Sequence, residues 1–467
     1  MNVYVRKKII ARTGLLLMLF SAAVAPVIAA QETDAQKQTR MAWWTEARFG
    51  MFIHWGLYAL AARHEWVKNY EHLSDADYQK YFDRFNPDLY DPKEWARTAK
   101  AAGMKYFVIT TKHHEGFCLW DSKYTDYKAT KTPYGKDLIR PLLKAMRNEG
   151  LRVGFYYSLL DWHHPEYTLD RQHPMFNNSE FREKAKSRDM AKYVAYLHNQ
   201  VRELLTEFGT IDCLFLDFSF PGKDGKGRDD WQSEKILKMI RELQPNIVIN
   251  DRLDLLDVPG GWDFRTPEQF LPREWVTANG RKVPWETCQT FSGSWGYYRD
   301  EATWKSVRQL VVMLIEVASK GGNLLLNVGP TARGTFDDRA LERLAGIGAW
   351  MKANDRSIIG CTEAPEEFKK PSNCLLTYNP AARRLYVHVL EWPMGTMTLD
   401  GFGGKIAYAQ LLNDASEILF RDATNPRHLG YLGYLPGDEK RTGGAVVLRL
   451  PVIQPKTTVP VIELFLK

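Results

Sequence analysis

From about residue 40 to 355 the chain alternates short apolar runs with amphipathic segments, in the order expected of repeated β–α units. The apolar runs are nearly continuous, as in strands that are buried on both faces of a parallel sheet. Seven runs are predicted to be strands, at residues 48–54, 106–113, 152–158, 211–217, 247–252, 283–290 and 322–328. Helical periodicity is clearest at 91–103, 138–147 and 183–208. Seven or eight such units in about 315 residues favour a (β/α)8-like barrel over an open doubly wound sheet, and no GxGxxG follows the first strand.

After Gly360 the pattern changes to alternation with period two, for example at 385–390 and 405–412. Glycine, proline and asparagine separate these short segments, which predicts an antiparallel β-sandwich packed on the barrel. Three parts are therefore expected along the chain: a signal peptide at 1–30, a (β/α)8-like domain at 31–357 and a C-terminal β-sandwich domain at 358–467.

The first 30 residues have the pattern of a secretory signal. Four basic residues precede an apolar stretch that starts at Gly14, and small residues at Ala29 and Ala30 fit a cleavage site. The apolar stretch is too short and wrongly flanked for a membrane-spanning helix. The sequence thus predicts an exported protein, with the periplasm as the first expectation and secretion as the alternative.

The charge of the chain argues against polyanionic partners. The formal net charge is +7, and the signal segment contributes four basic residues and no acids, which leaves about +3. A small, balanced charge gives no reason to expect nucleic acid or a membrane surface as partner. No run outside the signal is long enough to enter a membrane, and no pattern predicts an oligomeric state.

The five cysteines lack the spacing of a metal site, because the chain has no CxxC or CxxH. Cys118 and Cys213 lie in strand-like segments and are expected to be buried free thiols. Cys361 and Cys374 are close enough in sequence to pair at the domain junction, and the sequence leaves a disulfide and two free thiols both open.

Two carboxylates are placed where consecutive β–α units end. Asp217 closes the apolar run 211–217, and Glu268 follows the strand-like run 247–252. In a barrel the C-terminal ends of the strands meet at one rim, where active sites lie. Paired carboxylates at that rim are the groups that a glycosidase uses. An isolated aspartate at a strand end often only caps the next helix, so the surrounding residues decide between the two interpretations.

Other polar and aromatic residues are predicted at the same rim: His54, Glu65, Trp66, His113, His114, Tyr156 and Arg252. Such residues suit a sugar, because its C–H faces stack on aromatic rings and its hydroxyls need directed hydrogen bonds. Adjacent residues of a regular strand point to opposite faces, so His113 and His114 are not expected to bind one metal, and no metal site is predicted from them.

Nine motifs in the same order resemble the α-L-fucosidases of glycoside hydrolase family 29. They are FIHWG at 52–56, EW at 65–66, KHHEGF at 112–117, YYS at 156–158, NDR at 250–252, DFRTPE at 263–268, WE at 285–286, SWGY at 294–297 and SKGGNLLLNVGP at 319–330. The resemblance covers essentially the whole chain after the signal, including the predicted β-sandwich.

The resemblance implies a role for each rim residue. Asp217 matches the catalytic nucleophile, Glu268 the acid/base, and Arg252 a pocket arginine near the nucleophile. The residues that match those holding the fucose ring are His54, Glu65, Trp66, His113, His114 and Tyr156. The sequence departs from the family at Phe215 and Phe218, where tryptophan and glycine are usual.

The acid/base position varies within the family, and this leaves Glu286 as an alternative to Glu268. Its other interpretation is a structural acid beside Trp285.

The implied reaction is retaining, exo-acting hydrolysis of terminal α-L-fucosides from oligosaccharides or glycoconjugates, through a covalent fucosyl-enzyme and without metal or organic cofactor. Two alternatives remain open at this point. One is a fucose-binding protein on an inactive barrel with the sandwich as a lectin module. The other is a retaining glycosidase for another sugar, such as a galactoside.

Overall fold

The computed structural model describes residues 32–422 and 444–467, so the predicted signal peptide at 1–30 lies outside the described residues. The first helix, α1 (Asp34–Ala47), begins at Thr33, whose side chain accepts a hydrogen bond from the Gln36 amide in a capping box. It ends at Arg48, which adopts a left-handed conformation with φ of 55°. The Arg48 guanidinium then donates to the Cys361 carbonyl at 2.6 Å and connects the start of the barrel to the C-terminal region.

In chain order, the strands between residues 49 and 328 are β1 (Phe49–Ile53), β2 (Tyr106–Lys112), β3 (Arg152–Ser158), β4 (Cys213–Asp217), β5 (Val248–Ile249), the hairpin β6 (Thr277–Ala278) and β7 (Arg281–Lys282), β8 (Glu286–Thr290) and β9 (Asn323–Val328). Seven of these strands form one parallel sheet in the order β5-β4-β3-β2-β1-β9-β8. Nearly every residue of the seven sheet strands is buried, as their continuous apolar pattern predicted.

The helices after α1 are α2 (Tyr58–Ala61), α3 (Val67–Tyr70), α4 (Asp75–Phe82), α5 (Pro92–Ala101), α6 (Ile139–Asn148), α7 (Ser179–Ala185), α8 (Met190–Glu207), α9 (Arg228–Trp231), α10 (Ser233–Leu243), α11 (Val307–Ser319) and α12 (Asp338–Asn354), with short 3-10 turns η1 (Ala129–Lys131) and η2 (Asp355–Ser357). The helix predicted over 183–208 is divided into α7 and α8. The division arises because the Asp189 side chain accepts from the Ala191 amide at 3.0 Å and caps a new helix.

The segment 264–268 connects the two edges of the parallel sheet. Isolated parallel bridges join Asn250 to Phe264 beside β5, and Arg265 to Trp285 and Glu268 to Cys288 beside β8. No helix lies between β5 and β8. The predicted barrel-like α/β architecture is confirmed, with seven regular strands in its sheet within the described part of the chain.

The strand predicted at 247–252 is regular only over Val248–Ile249. At Asn250, the side chain instead of the backbone forms the hydrogen bonds to β4 at Leu216. Asn250 Oδ1 accepts from the Leu216 amide at 3.0 Å, and Asn250 Nδ2 donates to the Leu216 carbonyl at 2.8 Å. The side-chain amide thereby reproduces the two hydrogen bonds of a strand residue. It holds β4 at the residue directly before Asp217.

Two antiparallel sheets follow η2. One has four strands in the order β10 (Cys374–Asn379), β11 (Arg384–Val389), β16 (Val461–Leu466) and β13 (Ile406–Leu411). The other has three, in the order β12 (Thr396–Asp400), β15 (Ala445–Arg449) and β14 (Phe420–Asp422). Both sheets contribute to one apolar core, which includes Leu385, Val387, Leu399, Val446, Leu448, Ile462 and Leu464. The predicted C-terminal antiparallel β domain is therefore confirmed.

The C-terminal sheets pack directly on the last helices of the barrel. The Trp350 indole donates to the Val459 carbonyl at 2.8 Å, and Arg356 pairs with Glu463 at 2.8 Å. The predicted boundary between residues 357 and 358 falls directly after η2.

All five cysteines are free and buried, so Cys361 and Cys374 do not form the disulfide that the sequence left open. Among residues 32–422 and 444–467, none of the helices combines the length and hydropathy of a membrane span.

Candidate active site

The nine residues predicted at the rim all line one cavity of about 300 Å³. They are His54, Glu65, Trp66, His113, His114, Tyr156, Asp217, Arg252 and Glu268. The remaining wall is formed by Phe52, His64, Tyr70, Phe215, Phe218, Gln269, Cys288, Gly293 and Trp295. The cavity lies where β1, β2 and β4 end, because His54 and His113 directly follow their strands and Asp217 is the last residue of its own.

One guanidinium contacts both predicted catalytic carboxylates. Arg252 Nη1 lies 2.7 Å from Asp217 Oδ1, and Arg252 Nη2 lies 2.8 Å from Glu268 Oε2. The two acids differ in exposure: the Asp217 side chain is 10% exposed, whereas that of Glu268 is 41% exposed. Asp217 is thus enclosed in the pocket, while Glu268 lies at its opening to solvent.

Arg252 is fixed by the segment that carries Glu268. Its Nε donates to Thr266 Oγ1 at 3.0 Å, and the same hydroxyl donates to an Asp251 carboxylate oxygen. Burial by itself lowers the pKa of Arg252, but the carboxylates of Asp217 and Glu268 raise it well above its usual value. A permanent positive charge therefore lies between the two acids.

The second oxygen of Asp217 is held by Tyr156. The Tyr156 hydroxyl donates to Asp217 Oδ2 at 2.7 Å. Burial raises the pKa of Tyr156 well above its usual value, and the Asp217 charge raises it further. The Tyr156 hydroxyl therefore stays protonated, and can donate a hydrogen bond, throughout the pH range in which an enzyme works. Asp217 receives hydrogen bonds on both oxygens, which fix the orientation of its carboxylate.

Two of the pocket imidazoles have their tautomers set by neighbours outside the pocket. His54 Nδ1 lies 2.6 Å from Asn327 Oδ1, which can only accept, so Nδ1 carries the proton. His114 Nδ1 lies 2.7 Å from Ser158 Oγ, and this hydroxyl donates its own hydrogen to the Leu160 carbonyl at 2.9 Å. His114 Nδ1 must therefore also donate. Both rings present Nε2 as a hydrogen-bond acceptor.

Both imidazoles are neutral at physiological pH. Burial lowers the pKa of His54 and of His114 well below its usual value, and the neighbouring His113 lowers each further. The rings of His113 and His114 are in contact, with centroids 4.0 Å apart. The neutral rings of His54 and His114 offer acceptor nitrogens to hydroxyl donors.

Glu65 is a buried carboxylate with one occupied and one free oxygen. Its Oε2 accepts hydrogen bonds from Ser294 Oγ and from the amides of Trp295 and Gly296, at 2.9 to 3.0 Å. Its Oε1 is buried and accepts no hydrogen bond from residues 32–422 or 444–467, although it lies 3.3 Å from His64 Nδ1. A buried carboxylate oxygen without a partner is costly unless a ligand supplies a donor.

Aromatic rings form the apolar wall of the cavity. The Trp66 ring lies 5.2 Å from Trp162, 5.2 Å from His114 and 5.4 Å from Phe218, measured between centroids. Phe215 stacks on Tyr156 at 5.7 Å, with 20° between the ring planes. Phe215 thus keeps this part of the wall apolar, but it provides no N–H donor.

The sequence assigned no role to Asn327, which forms a hydrogen bond with His54, or to Glu115, which lies close to His113. Asn327 Nδ2 donates to the Trp295 carbonyl at 2.6 Å while its Oδ1 accepts from His54. Glu115 is buried, and its Oε2 lies 3.3 Å from His113 Nδ1. Both residues belong to motifs noted in the sequence, but their partners are distant in the chain or depend on the loop conformation.

Glu286, the alternative acid/base, lies outside the cavity. Glu286 is the first residue of β8. Glu268 lies beside β8 and is bridged to Cys288, which is nearer the C-terminal end of that strand. Glu286 is 0% exposed and accepts a hydrogen bond from the Tyr106 hydroxyl. Burial raises the pKa of Glu286 to about 8, and the Tyr106 hydrogen bond opposes this shift in part.

Substituting Glu286 by glutamine is expected to stabilise the protein at high pH. The pKa of Glu286 rises from 4.5 to about 8 on folding, so ionisation favours the unfolded chain progressively between these two values. Glutamine does not titrate, so the stability gain of Glu286→Gln should grow from pH 4.5 to 8, to on the order of a few kcal/mol. Thermal midpoints of variant and wild type, measured across this range, test the prediction. A pH-independent difference would contradict it.

A barrel-like parallel sheet with two acids on one guanidinium, beside a pocket of imidazoles and indoles, has the features of a glycoside hydrolase. The comparisons with known proteins agree. A family model described as alpha-L-fucosidase matches residues 18–356. Human plasma alpha-L-fucosidase is 30% identical over 384 residues, which cover 75% of this chain and 76% of the human protein.

Solved structures show the same relationship. Alpha-L-fucosidase isoenzyme 1 from Paenibacillus thiaminolyticus is 45% identical, with a TM-score of 0.84, covering 92% of this chain and 99% of its own. An alpha-L-fucosidase from Bacteroides thetaiotaomicron, solved as a trapped covalent intermediate with 2-fluoro-fucosyl fluoride, is 28% identical, with a TM-score of 0.76 and coverage of 92% and 96%. The chain belongs to the alpha-L-fucosidase family, glycoside hydrolase family 29, and the predicted enzyme class is confirmed.

Proposed function

We propose that the enzyme is a retaining, exo-acting α-L-fucosidase that removes terminal fucose from oligosaccharides or glycoconjugates. The observation that carries the proposal is the contact of Arg252 with both Asp217 and Glu268. This contact holds the two acids in a single cavity, with Asp217 at its floor and Glu268 at its opening. The trapped covalent intermediate of the Bacteroides thetaiotaomicron relative supports a covalent route.

In the first step of the proposed reaction, Asp217 attacks the anomeric carbon of the fucose as its bond to the aglycone oxygen breaks. Glu268 gives its proton to that oxygen, so the aglycone leaves as an alcohol. Arg252 and Tyr156 orient Asp217 for the attack through the hydrogen bonds at 2.7 Å on its two oxygens.

In the second step, Glu268 takes a proton from water, and the resulting oxygen nucleophile displaces Asp217 from the anomeric carbon. Fucose leaves with the configuration it had in the substrate, and Glu268 regains its proton. The exposure of Glu268 fits this role, because the acid/base must reach both the departing aglycone and the incoming water.

Recognition of fucose is proposed to rest on acceptors that are fixed before the sugar binds. Nε2 of His54 and of His114, together with the free oxygen of Glu65, can each accept from a sugar hydroxyl. His113 is proposed to contact a further sugar hydroxyl from the same wall of the cavity. The rings of Trp66, Phe215 and Phe218 are proposed to pack against the C–H groups and the methyl group of the 6-deoxy sugar.

Two further proposals concern architecture and location. The segment 264–268 forms bridges to both edges of the sheet, and it is proposed to take the place of the eighth strand in a (β/α)8-like barrel. This segment would thereby position Glu268 at the rim. The basic and apolar pattern of residues 1–30 supports export, with the periplasm as the proposed location.

Hydrolysis of an aryl α-L-fucoside, followed by proton NMR of the released sugar, tests the proposed function. We expect α-L-fucose to appear first and to mutarotate afterwards, because two inversions restore the original configuration. Initial release of β-L-fucose would contradict the retaining mechanism. An active aryl galactoside beside an inactive fucoside would contradict the proposed substrate.

A further inference from the structure

His113 lines the cavity of about 300 Å³ that is the proposed fucose pocket, but its buried edge differs from that of His54 and His114. Nδ1 of His54 and Nδ1 of His114 each donate to a neutral side-chain oxygen, an amide in one case and a hydroxyl in the other. Nδ1 of His113 is buried and has no hydrogen-bond partner within the part of the chain that the structure describes. Because this nitrogen is enclosed, Nε2 is the one through which His113 can contact a ligand in the pocket.

The carboxylate of Glu115 lies beside this buried nitrogen. Its Oε2 is 3.3 Å from His113 Nδ1, and Glu115 is 1% exposed. Both oxygens of Glu115 also lack a hydrogen bond from any of the described residues. A buried polar atom without a partner is costly, and here an unpaired imidazole nitrogen and an unpaired carboxylate oxygen are in contact. The distance already permits a hydrogen bond, and a small shift of the carboxylate would supply the angle.

The residues around the Glu115 carboxylate come from the segment after β1 and from α4. A Cβ on Gly56 would lie 2.5 Å from Glu115 Oε1, so a side chain at this position would displace the carboxylate. The hydroxyls of Tyr58 and Tyr78 are buried and have no partner among residues 32–422 and 444–467. Burial raises the pKa of both phenols well above the usual value, and the Glu115 charge raises each further. Glu115 therefore faces two protonated hydroxyls and an imidazole, all of which can donate to it.

Aromatic contacts restrict the orientation of the His113 ring. Its centroid lies 4.0 Å from that of His114, 5.4 Å from that of Tyr58 and 5.9 Å from that of Tyr156, and the planes of His113 and Tyr156 differ by 22°. A ring held in this way cannot turn to exchange its two nitrogens without repacking its neighbours. The position of the proton thus decides whether Nε2 accepts or donates in the pocket.

We propose that Glu115 is a positioning residue, whose carboxylate accepts the Nδ1 proton of His113 and thereby makes Nε2 an acceptor for a fucose hydroxyl. A hydrogen bond to a charged group is about twice as strong as one between neutral groups, so His113 has a stronger partner than His54 or His114. Hydrogen bonds in a chain polarise one another, and the bond from the sugar hydroxyl to Nε2 is strengthened as well. The inference rests on the proposed function, because it takes a fucoside as the ligand of the pocket.

Nitrogen-15 NMR of histidine-labelled enzyme measures the tautomer directly, since the shifts of the two ring nitrogens depend on which one is protonated. The signals of His113 are identified by their loss in His113→Gln. We expect a protonated Nδ1 and an unprotonated Nε2 in the wild type. In Glu115→Met, which keeps an unbranched side chain of similar length but removes the carboxylate, the proton should move towards Nε2. Glu115→Gln can still accept from Nδ1 and should keep the wild-type tautomer.

Aryl fucosides that each lack one ring hydroxyl, at C2, C3 or C4, connect the tautomer to substrate binding. For Glu115→Met, we expect kcat/KM on the parent aryl fucoside to fall about 10-fold, because one sugar hydroxyl loses its acceptor. On the substrate that lacks this hydroxyl, variant and wild type should agree within about 2-fold, whereas the other two substrates should show the full loss. A merely structural role of Glu115 predicts the same loss on all four substrates. Glu115→Gln should lose less than Glu115→Met on the parent.

Glu203→Met is the matched control. Glu203 is likewise a buried glutamate, 4% exposed, and it accepts from the Trp120 indole at 2.8 Å and from the Lys123 amide at 2.9 Å. It lies on α8 and does not line the pocket. Its substitution should leave the His113 tautomer and the ratios among the four substrates as in the wild type. Thermal midpoints of all variants measure the loss of stability separately.

The outcomes separate this inference from the proposed function. If the wild type hydrolyses the aryl fucoside but His113 carries its proton on Nε2, the role of Glu115 is wrong and the fucosidase stands. The same holds if Glu115→Met leaves the tautomer unchanged, if it slows all four substrates equally, or if Glu203→Met has the same effects. A wild type that fails on the aryl fucoside would contradict the proposed function, and the tautomer of His113 would still test its contact with Glu115.

Discussion

Replacing Asp217 by glycine is expected to lower kcat on aryl fucosides by about 10⁴-fold or more, because the first covalent step loses its nucleophile. Sodium azide should restore turnover by entering the space left by the carboxylate. It attacks the anomeric carbon from the Asp217 side, so the product should be β-L-fucosyl azide, with inverted configuration. Product NMR and rates at several azide concentrations measure both effects.

Asp217→Asn is the matched variant, because it keeps the shape of the side chain, and its single carbonyl oxygen can still accept from Arg252 while its amide group can donate to the Tyr156 hydroxyl. A nucleophile role predicts that it is as inactive as the glycine variant while its thermal midpoint stays near that of the wild type. If Asp217→Asn retained wild-type turnover, Asp217 would be a structural residue and the mechanism would have to be assigned to other groups.

Replacing Glu268 by alanine is expected to slow substrates with poor leaving groups by about 10²–10⁴-fold, the usual contribution of general acid–base assistance. Activated aryl fucosides need little protonation, so their first step should change far less. Azide should accelerate the second step, since it needs no base, and should give α-L-fucosyl azide because it attacks the fucosyl-enzyme. The anomer of the azide thus distinguishes the loss of Glu268 from the loss of Asp217.

Glu286→Gln serves as the comparison for this prediction. Glu286 is buried at the start of β8 and does not line the fucose pocket, so its substitution should affect good and poor leaving groups equally. Leaving-group dependence and azide rescue in a Glu286 variant, with neither in Glu268→Ala, would exchange the two roles.

The elements of the barrel followed from local patterns. The strands that end at Asp217 and precede His113 were apparent as continuous apolar runs, and α5 (Pro92–Ala101) was indicated by the helical periodicity over 91–103. The break between α7 and α8 was missed because the apolar face continues across it, and the capping of α8 by Asp189 outweighed that periodicity.

The sequence by itself determined which residues could belong to the site. Because the C-terminal ends of parallel strands share one rim, naming the residues at those ends and in the loops that follow them identified nine of the residues that line the cavity. It also determined the enzyme family, through motifs that run the length of the chain.

Only the tertiary structure decided how those residues act on one another. Arg252 contacts both Asp217 and Glu268, and these contacts join three separate segments of the chain. Glu286 lies outside the cavity because it is at the N-terminal end of β8, whereas the cavity is at the C-terminal ends of the strands. The left-handed φ of 77° at Phe218, whose ring lies 4.9 Å from His114 and 5.3 Å from Phe220, is likewise a feature of the folded chain that no local pattern indicated. Such contacts bring together residues that local patterns describe one segment at a time, as do the isolated bridges from 264–268 to residues beside β5 and β8.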